Sequence, residues 1–207
     1  MRSGNIMHME IAICTKEVTG INEMVKRDLT KETSDSDVIL VKDGKQLHVR
    51  KEVLAQKSYF FSTLFSEKFI EGNSREIELP FGEYKDFLLM LNVMINNHRI
   101  TYENYSTVLE CASYYQARTV LDAVVNFLKN TEMDLPIFDM LLLAETYQLH
   151  ELEPHFVAKC TSHEQLSAIR NNPRFKELSE RIHLLLLDAS MRIRSQDVVV
   201  IYATPSF

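Results

Sequence analysis

The chain has 207 residues, 45 % hydrophobic and 25 % charged, a composition ordinary for a globular protein and enough for one large domain or two small ones. Its formal charge of −6, from 23 basic and 29 acidic side chains with no clustered run of Lys or Arg, leaves no electrostatic footprint for nonspecific nucleic-acid binding. The apolar runs FLLMLNVMI and HLLLLDA fall short of the ~20 residues that span a bilayer, MRSGNIMHMEIAIC lacks the apolar centre of a secretory signal, and Cys14, Cys111 and Cys160 are too few and too far apart for a disulfide framework, so a soluble protein of the cytoplasm or nucleus is expected.

The first patterned stretch is DVILVKDGKQLHVRKEV, from Asp37. Val38 and Leu40 alternate with Ile39 and Val41, the pair Asp43-Gly44 supplies a turn, and Leu47 and Val49 alternate again, which predicts a β-hairpin. KEVLAQKSYFFSTLF has helical spacing, but one continuous helix would place Lys57 inside the apolar stripe of Val53, Leu54, Phe61 and Leu64. Two short helices, the second capped by Ser58, resolve that conflict. REIELP then reads as a short strand with Ile77 and Leu79 on one face and Pro80 at its end.

Helices follow. Tyr84, Phe87, Leu88, Leu91, Met94 and Ile95 make one stripe, Val108, Leu109, Ala112 and Tyr115 a second, and Val120, Leu121, Val124, Val125 and Leu128 a third. Strands first and helices after predict an α+β class and not an alternating βαβ one. KNTEMDLP is a soft boundary. Beyond it Phe138, Leu141, Leu142, Leu149 and Leu152 share a face with Glu145 inside it, a carboxylate that either reaches solvent or meets a partner group across a helix interface. A further helix pair splits at Asn171 to Pro173, and SQDVVVIYATPSF closes the chain as a strand-like or frayed tail.

No residue set stands out for chemistry. His150, His155, Cys160 and His163 crowd one stretch, but the first two are five apart, which turns the second imidazole about 140° from the first on a helix where a zinc-protease pair stands about 40° apart, and Pro154 intervenes. They read as residues spread over helix surfaces and ends, and Glu151 and Glu153 as solvated surface. The five glycines build no Gly-x-Gly-x-x-Gly or P-loop. No catalytic, metal-binding or cofactor-binding residue is assigned, and function is sought in surfaces.

The order hairpin, two short helices, strand, helical hairpins, together with SDVILVKDGKQLHVRKEVLAQKSYFFSTLF, resembles the BTB/POZ domain. The likeness continues through REIELPFGEYKDFLLMLNVM, ITYENYSTVLECASYYQARTVLDAVVNFL and MLLLAETYQLHELEPH. Arg50 stands where the family usually has His, and Leu47 where it has Phe. The resemblance implies a BTB/POZ fold, a small three-stranded sheet flanked by helical hairpins, over 35–130, followed by an all-α extension of the BACK or 3-box type over 131–190 and a tail over 191–207. Residues 1–34 are similar to the last strand of a MATH domain and its linker, as in nematode MATH-BTB proteins.

The same resemblance supplies candidate site residues. BTB proteins that bind the cullin-3 scaffold of ubiquitin ligases carry an apolar residue, any residue and Glu after the Ser-x-Tyr-Phe helix, and Phe69, Ile70 and Glu71 match it. Read from the stripe alone, Phe69 extends Phe61, Leu64 and Phe65 into the core. The family also implies a homodimer with Asp37 and Lys51 as a charged pair near the interface and Leu54 and Tyr59 as apolar contacts; the plain alternative is two separate surface charges. The implied function is a non-enzymatic adaptor in protein ubiquitination, with self, cullin-3 and an unidentified substrate as partners and no nucleic acid or membrane. An oligomerisation module without cullin contact and a transcriptional BTB protein are the rival readings.

Overall fold

A computed structural model describes residues 26–66 and 74–203, the last nine of these as backbone alone. Strands β1 (Val38–Lys42) and β2 (Lys45–Val49) pair antiparallel, with Val38 opposite Val49 and Leu40 opposite Leu47. Asp43 and Gly44 turn the hairpin with φ of 50° and 71°, the doubly left-handed turn whose twist matches the flanking strands and for which Asp-Gly is suited. Strand β3 (Glu76–Glu78) adds parallel to β1, giving the order β2-β1-β3. The predicted hairpin and third strand are therefore present, and Ile77 and Leu79 are both buried as one face of β3 requires.

Helices α1 (Lys51–Lys57) and α2 (Tyr59–Leu64) break at Ser58, as the position of Lys57 demanded. Ser58 is buried, accepts from the Phe61 amide at 3.1 Å and donates to the Tyr115 carbonyl, so the break is pinned to a distant helix end. Lys57 reaches out of the stripe to the Met94 carbonyl, 2.6 Å away. Helices α3 (Tyr84–Asn96), α4 (Tyr105–Tyr114) and α5 (Arg118–Asn130) then cover the sheet and close a core in which Leu40, Leu54, Phe61, Phe87, Tyr115 and Val124 are wholly inaccessible.

The α-helical extension comprises α6 (Ile137–Thr146), α7 (Leu152–Ala158), α8 (His163–Arg170), a short 3-10 turn at Phe175–Glu177 and α9 (Glu180–Ala203). The α+β class with an all-α C-terminal part is thus what the chain adopts. Two local expectations are corrected, and the choice left open for Glu145 is decided. The apolar face from Phe138 to Leu152 belongs to two helices, because α6 ends at Thr146 and Gln148 takes φ of 55°. Glu145 meets a partner, accepting from the Ser179 amide at 3.2 Å just before α9. The segment from Ser195 to Ala203 is helical and continues α9, so its strand-like reading does not hold.

Residues 26–35 lie against this body. Asn96 accepts from the Arg27 amide and donates to the Arg27 carbonyl, both at 2.9 Å, while Leu29 is buried and its carbonyl receives the His48 amide at 2.8 Å. Of the strand and linker expected over residues 1–34, residues 1–25 fall outside the described residues.

Candidate interaction surface

The surface of interest is built from Tyr115 outward. Its ring is buried between Phe61, stacked at 5.7 Å, and Phe87, edge-on at 4.9 Å, and burial holds its phenol above the usual tyrosine range. The neutral hydroxyl donates to the Phe81 carbonyl at 2.7 Å and lies 3.3 Å from the Phe81 amide. That hold fixes Phe81 just after β3, where its ring stacks on Tyr114 with centroids 4.2 Å apart and planes 11° from parallel. Phe60 of α2 completes the group, 6.2 Å from Tyr114 and edge-on to Tyr115 at 5.2 Å. Phe60 and Phe81 are half-buried and Tyr114 is exposed, so three aromatic side chains form a ledge resting on a rigid aromatic core.

A groove of about 490 Å³ lies between the two halves of the molecule. Tyr59 and Gln116 stand on one side, joined by a bond from the Tyr59 amide to the Gln116 carbonyl at 3.2 Å. Leu121, Asp122 and Val125 of α5 line the groove, and the turn from Tyr147 to Glu151 makes the other wall. That turn is braced twice. Lys129 at the end of α5 pairs with Glu151 at 2.6 Å, and the His150 ring nitrogen Nδ1 lies 2.7 Å from Glu153.

The expected site residues are dispersed. Phe69, Ile70 and Glu71 lie outside the described residues, in the segment that leaves the end of α2 after Ser66. Tyr59 is 72 % exposed and lines the groove. Leu54 is fully buried in the chain's own core, which leaves it no surface to offer a partner, so its assignment as an interface contact fails for a physical reason. Asp37 is exposed and its carboxylate accepts the Lys51 amide at 2.7 Å, a local tie between β1 and the first turn of α1. The Lys51 ammonium lies 5.7 Å from the Phe65 ring centroid, near the end of α2.

Sequence reasoning missed Phe60, Phe81 and Tyr114. The signal was the pair Tyr114-Tyr115, whose second member fits the buried stripe and whose first is therefore turned away from it. It also misplaced Glu153, which is 0 % exposed and not solvated surface, with Arg181 Nε 2.9 Å from its second oxygen. Among the described residues no three His, Cys, Asp or Glu side chains converge as metal ligands. Burial pushes the Cys111 thiol up to about 12 and raises that of Cys160, so both are protonated at neutral pH and poor nucleophiles. No helix of the described residues is long and apolar enough to cross a membrane.

Comparison with known proteins gives the same architecture a wider frame. The family model described as BTB/POZ domain matches residues 27–132. BTB and MATH domain-containing protein 36 of Caenorhabditis elegans is 30 % identical over 182 residues, covering 86 % of this chain and 56 % of that protein. BTB and MATH domain-containing protein 38 of the same species is 27 % identical over 183 residues, covering 87 % of this chain and 47 % of the relative. Kelch-like protein 7 of Homo sapiens is 27 % identical over 182 residues, covering 84 % of this chain and 30 % of the relative. The chain thus spans about half the length of the first two.

Proposed function

The chain belongs to the BTB/POZ family, and from that membership we propose that it is a non-enzymatic adaptor that pairs with a second copy of itself and docks cullin-3 through Phe69, Ile70 and Glu71. The observation that carries this reading is the aromatic ledge of Phe60, Phe81 and Tyr114, an apolar patch at the surface that a partner helix can cover. Phe69 would add apolar area to such a contact, and each square ångström of apolar surface that a partner helix covers contributes about 25 cal/mol. Glu71 at the rim adds orientation and selectivity more than affinity. The α6–α7 turn makes the platform larger than the ledge alone, which gives the helical extension a part in docking.

Self-pairing uses the region of Asp37 and Lys51, whose backbone tie sets the start of α1 at the surface. Two adaptor copies in one assembly raise the effective concentration of a bound target near the ligase, so the protein acts by proximity.

A calorimetric titration of the full chain against the N-terminal domain of cullin-3 tests the reading, with Phe69→Ala and Tyr114→Ala checked for folding by circular dichroism. Wild type is expected to bind, and each folded variant to lose about tenfold or more in affinity, ~1.4 kcal/mol. Folded wild type that does not bind overturns the adaptor reading. Phe69→Ala that unfolds instead makes Phe69 a core residue.

A further inference from the structure

Helix α9 turns one side to the body of the chain, where Ile182, Leu186, Ala189 and Ile193 are buried in the chain's own core. At about 100° per residue, the row directly opposite them is Glu180, Leu184, Leu187, Met191 and Arg194. All five are exposed, Leu184 at 57 % and Leu187 and Met191 at 54 % each. Their alternating spacing of four and three residues is that of the seam between two packed helices, in which each apolar side chain enters a gap in the facing row. The row covers about 21 Å of helix.

The order of the row identifies its occupant. The acid stands at the N-terminal end, the base at the C-terminal end and the apolar residues between them, with Leu187 midway, seven residues from each charge. A second copy laid antiparallel about Leu187 sets Glu180 of each copy against Arg194 of the other and brings Leu184 within one residue of facing Met191. A parallel copy would instead stack Glu180 on Glu180 and Arg194 on Arg194. The remaining charges lie on one flank. Asp188 comes near its own counterpart beside the two-fold axis, where Arg192, one turn along the same helix, offsets it. Arg181 is held by Glu153, 2.9 Å away. Ion pairs this exposed add little affinity and fix direction, so the apolar row carries the contact. We infer that the outer row of α9 docks a second copy of this chain, helix against antiparallel helix, centred on Leu187. The face lies on the helical extension and not on the elements that carry Asp37 and Lys51, so it is separate from the self-pairing and the cullin docking proposed above and rests on neither.

Sedimentation of the full chain over a range of concentrations tests this contact. The wild-type mass is expected to rise with concentration, and Leu187→Gln to weaken that association about tenfold or more, ~1.4 kcal/mol. Glu180→Arg and Arg194→Glu each turn both ion pairs into like charges, and each should weaken it about tenfold. The chain carrying both exchanges should recover the wild-type association, because both pairs re-form with their signs reversed. That recovery separates pairing from any cost to the fold, which the two exchanges together would only increase. All three positions are exposed, so circular dichroism should show the variants folded. A wild-type mass that does not rise overturns the inference. So does an association that Leu187→Gln leaves intact, as pairing through Asp37 and Lys51 alone would be, or a double exchange that associates no better than the single ones.

Discussion

Glu153 carries a carboxylate into the interior of the helical extension, while its neighbours, the Arg181 guanidinium and the His150 ring, keep 56 % and 53 % of their side-chain surface in water. The asymmetry decides what each substitution costs. Replacing Glu153 by Gln removes a buried charge and leaves a guanidinium and an imidazole that turn outward and hydrate, so the loss is that of ordinary hydrogen bonds to a charged group, about 1.5–3 kcal/mol at most. Replacing Arg181 by Met leaves the carboxylate buried with its guanidinium partner gone, the situation that costs about 3–5 kcal/mol. Arg181→Met is therefore expected to lower the urea midpoint more than Glu153→Gln, although Arg181 is the more exposed residue. The reverse order would mean that the carboxylate draws its support from elsewhere. Spacing alone did not reveal this residue, because Glu153 follows Leu152 at the start of a short helix and its burial depends on where α9 arrives from far along the chain.

At the scale of elements, helix ends carry much of the design. Helix α4 ends with Gln116 at φ 47° and a bond from the Ala117 amide to the Ala112 carbonyl; α6 ends with Gln148 at φ 55° and a bond from the Leu149 amide to the Ala144 carbonyl, both at 2.8 Å. Each is a left-handed cap that satisfies a terminal carbonyl, built with a residue that pays a steric penalty glycine avoids. Gln148→Gly is accordingly expected to stabilise the chain by about 0.5–1 kcal/mol in thermal unfolding. An unchanged or lower midpoint would show that the Gln148 side chain contributes more than its strain costs. These caps explain a misreading. With neither Gly nor Asn to mark the stop, the apolar spacing from Phe138 to Leu152 passes for one face of one helix. Where the signal was strong the elements were legible: Asp43-Gly44 gave the turn, Lys57 in the stripe gave the helix break, and alternation gave both hairpin strands. Val198 to Ile201 misled in the other direction, since β-branched residues favour strands as isolated words, yet extending a helix already nucleated at Glu180 costs little per residue.

For the whole molecule, two packed regions meet at the candidate docking surface. Leu40, Leu54, Phe61, Phe87, Tyr115 and Val124 all fall within the span that matches the BTB/POZ family, whereas Leu141, Leu152, Phe156 and Ile182 anchor the extension. The ledge of Phe60, Phe81 and Tyr114 belongs to the first region, and the wall from Tyr147 to Glu151 to the second. In the sequence, the short pattern at Phe69 to Glu71 was readable by resemblance, but the ledge was not, because three residues from distant elements become neighbours only once the chain folds around Tyr115. A chain ending after residue 132 separates the two contributions. It keeps every one of those six core residues and should unfold cooperatively in urea as a smaller domain. It also loses the far wall of the groove and the partner of Lys129. If the platform spans both regions, this shortened chain binds cullin-3 about tenfold more weakly than the full chain, by ~1.4 kcal/mol, while Phe69→Ala still weakens what binding remains. Full affinity in the shortened chain would confine docking to the ledge and leave the groove without a part in it, since a wall that can be removed at no cost makes no contact that matters.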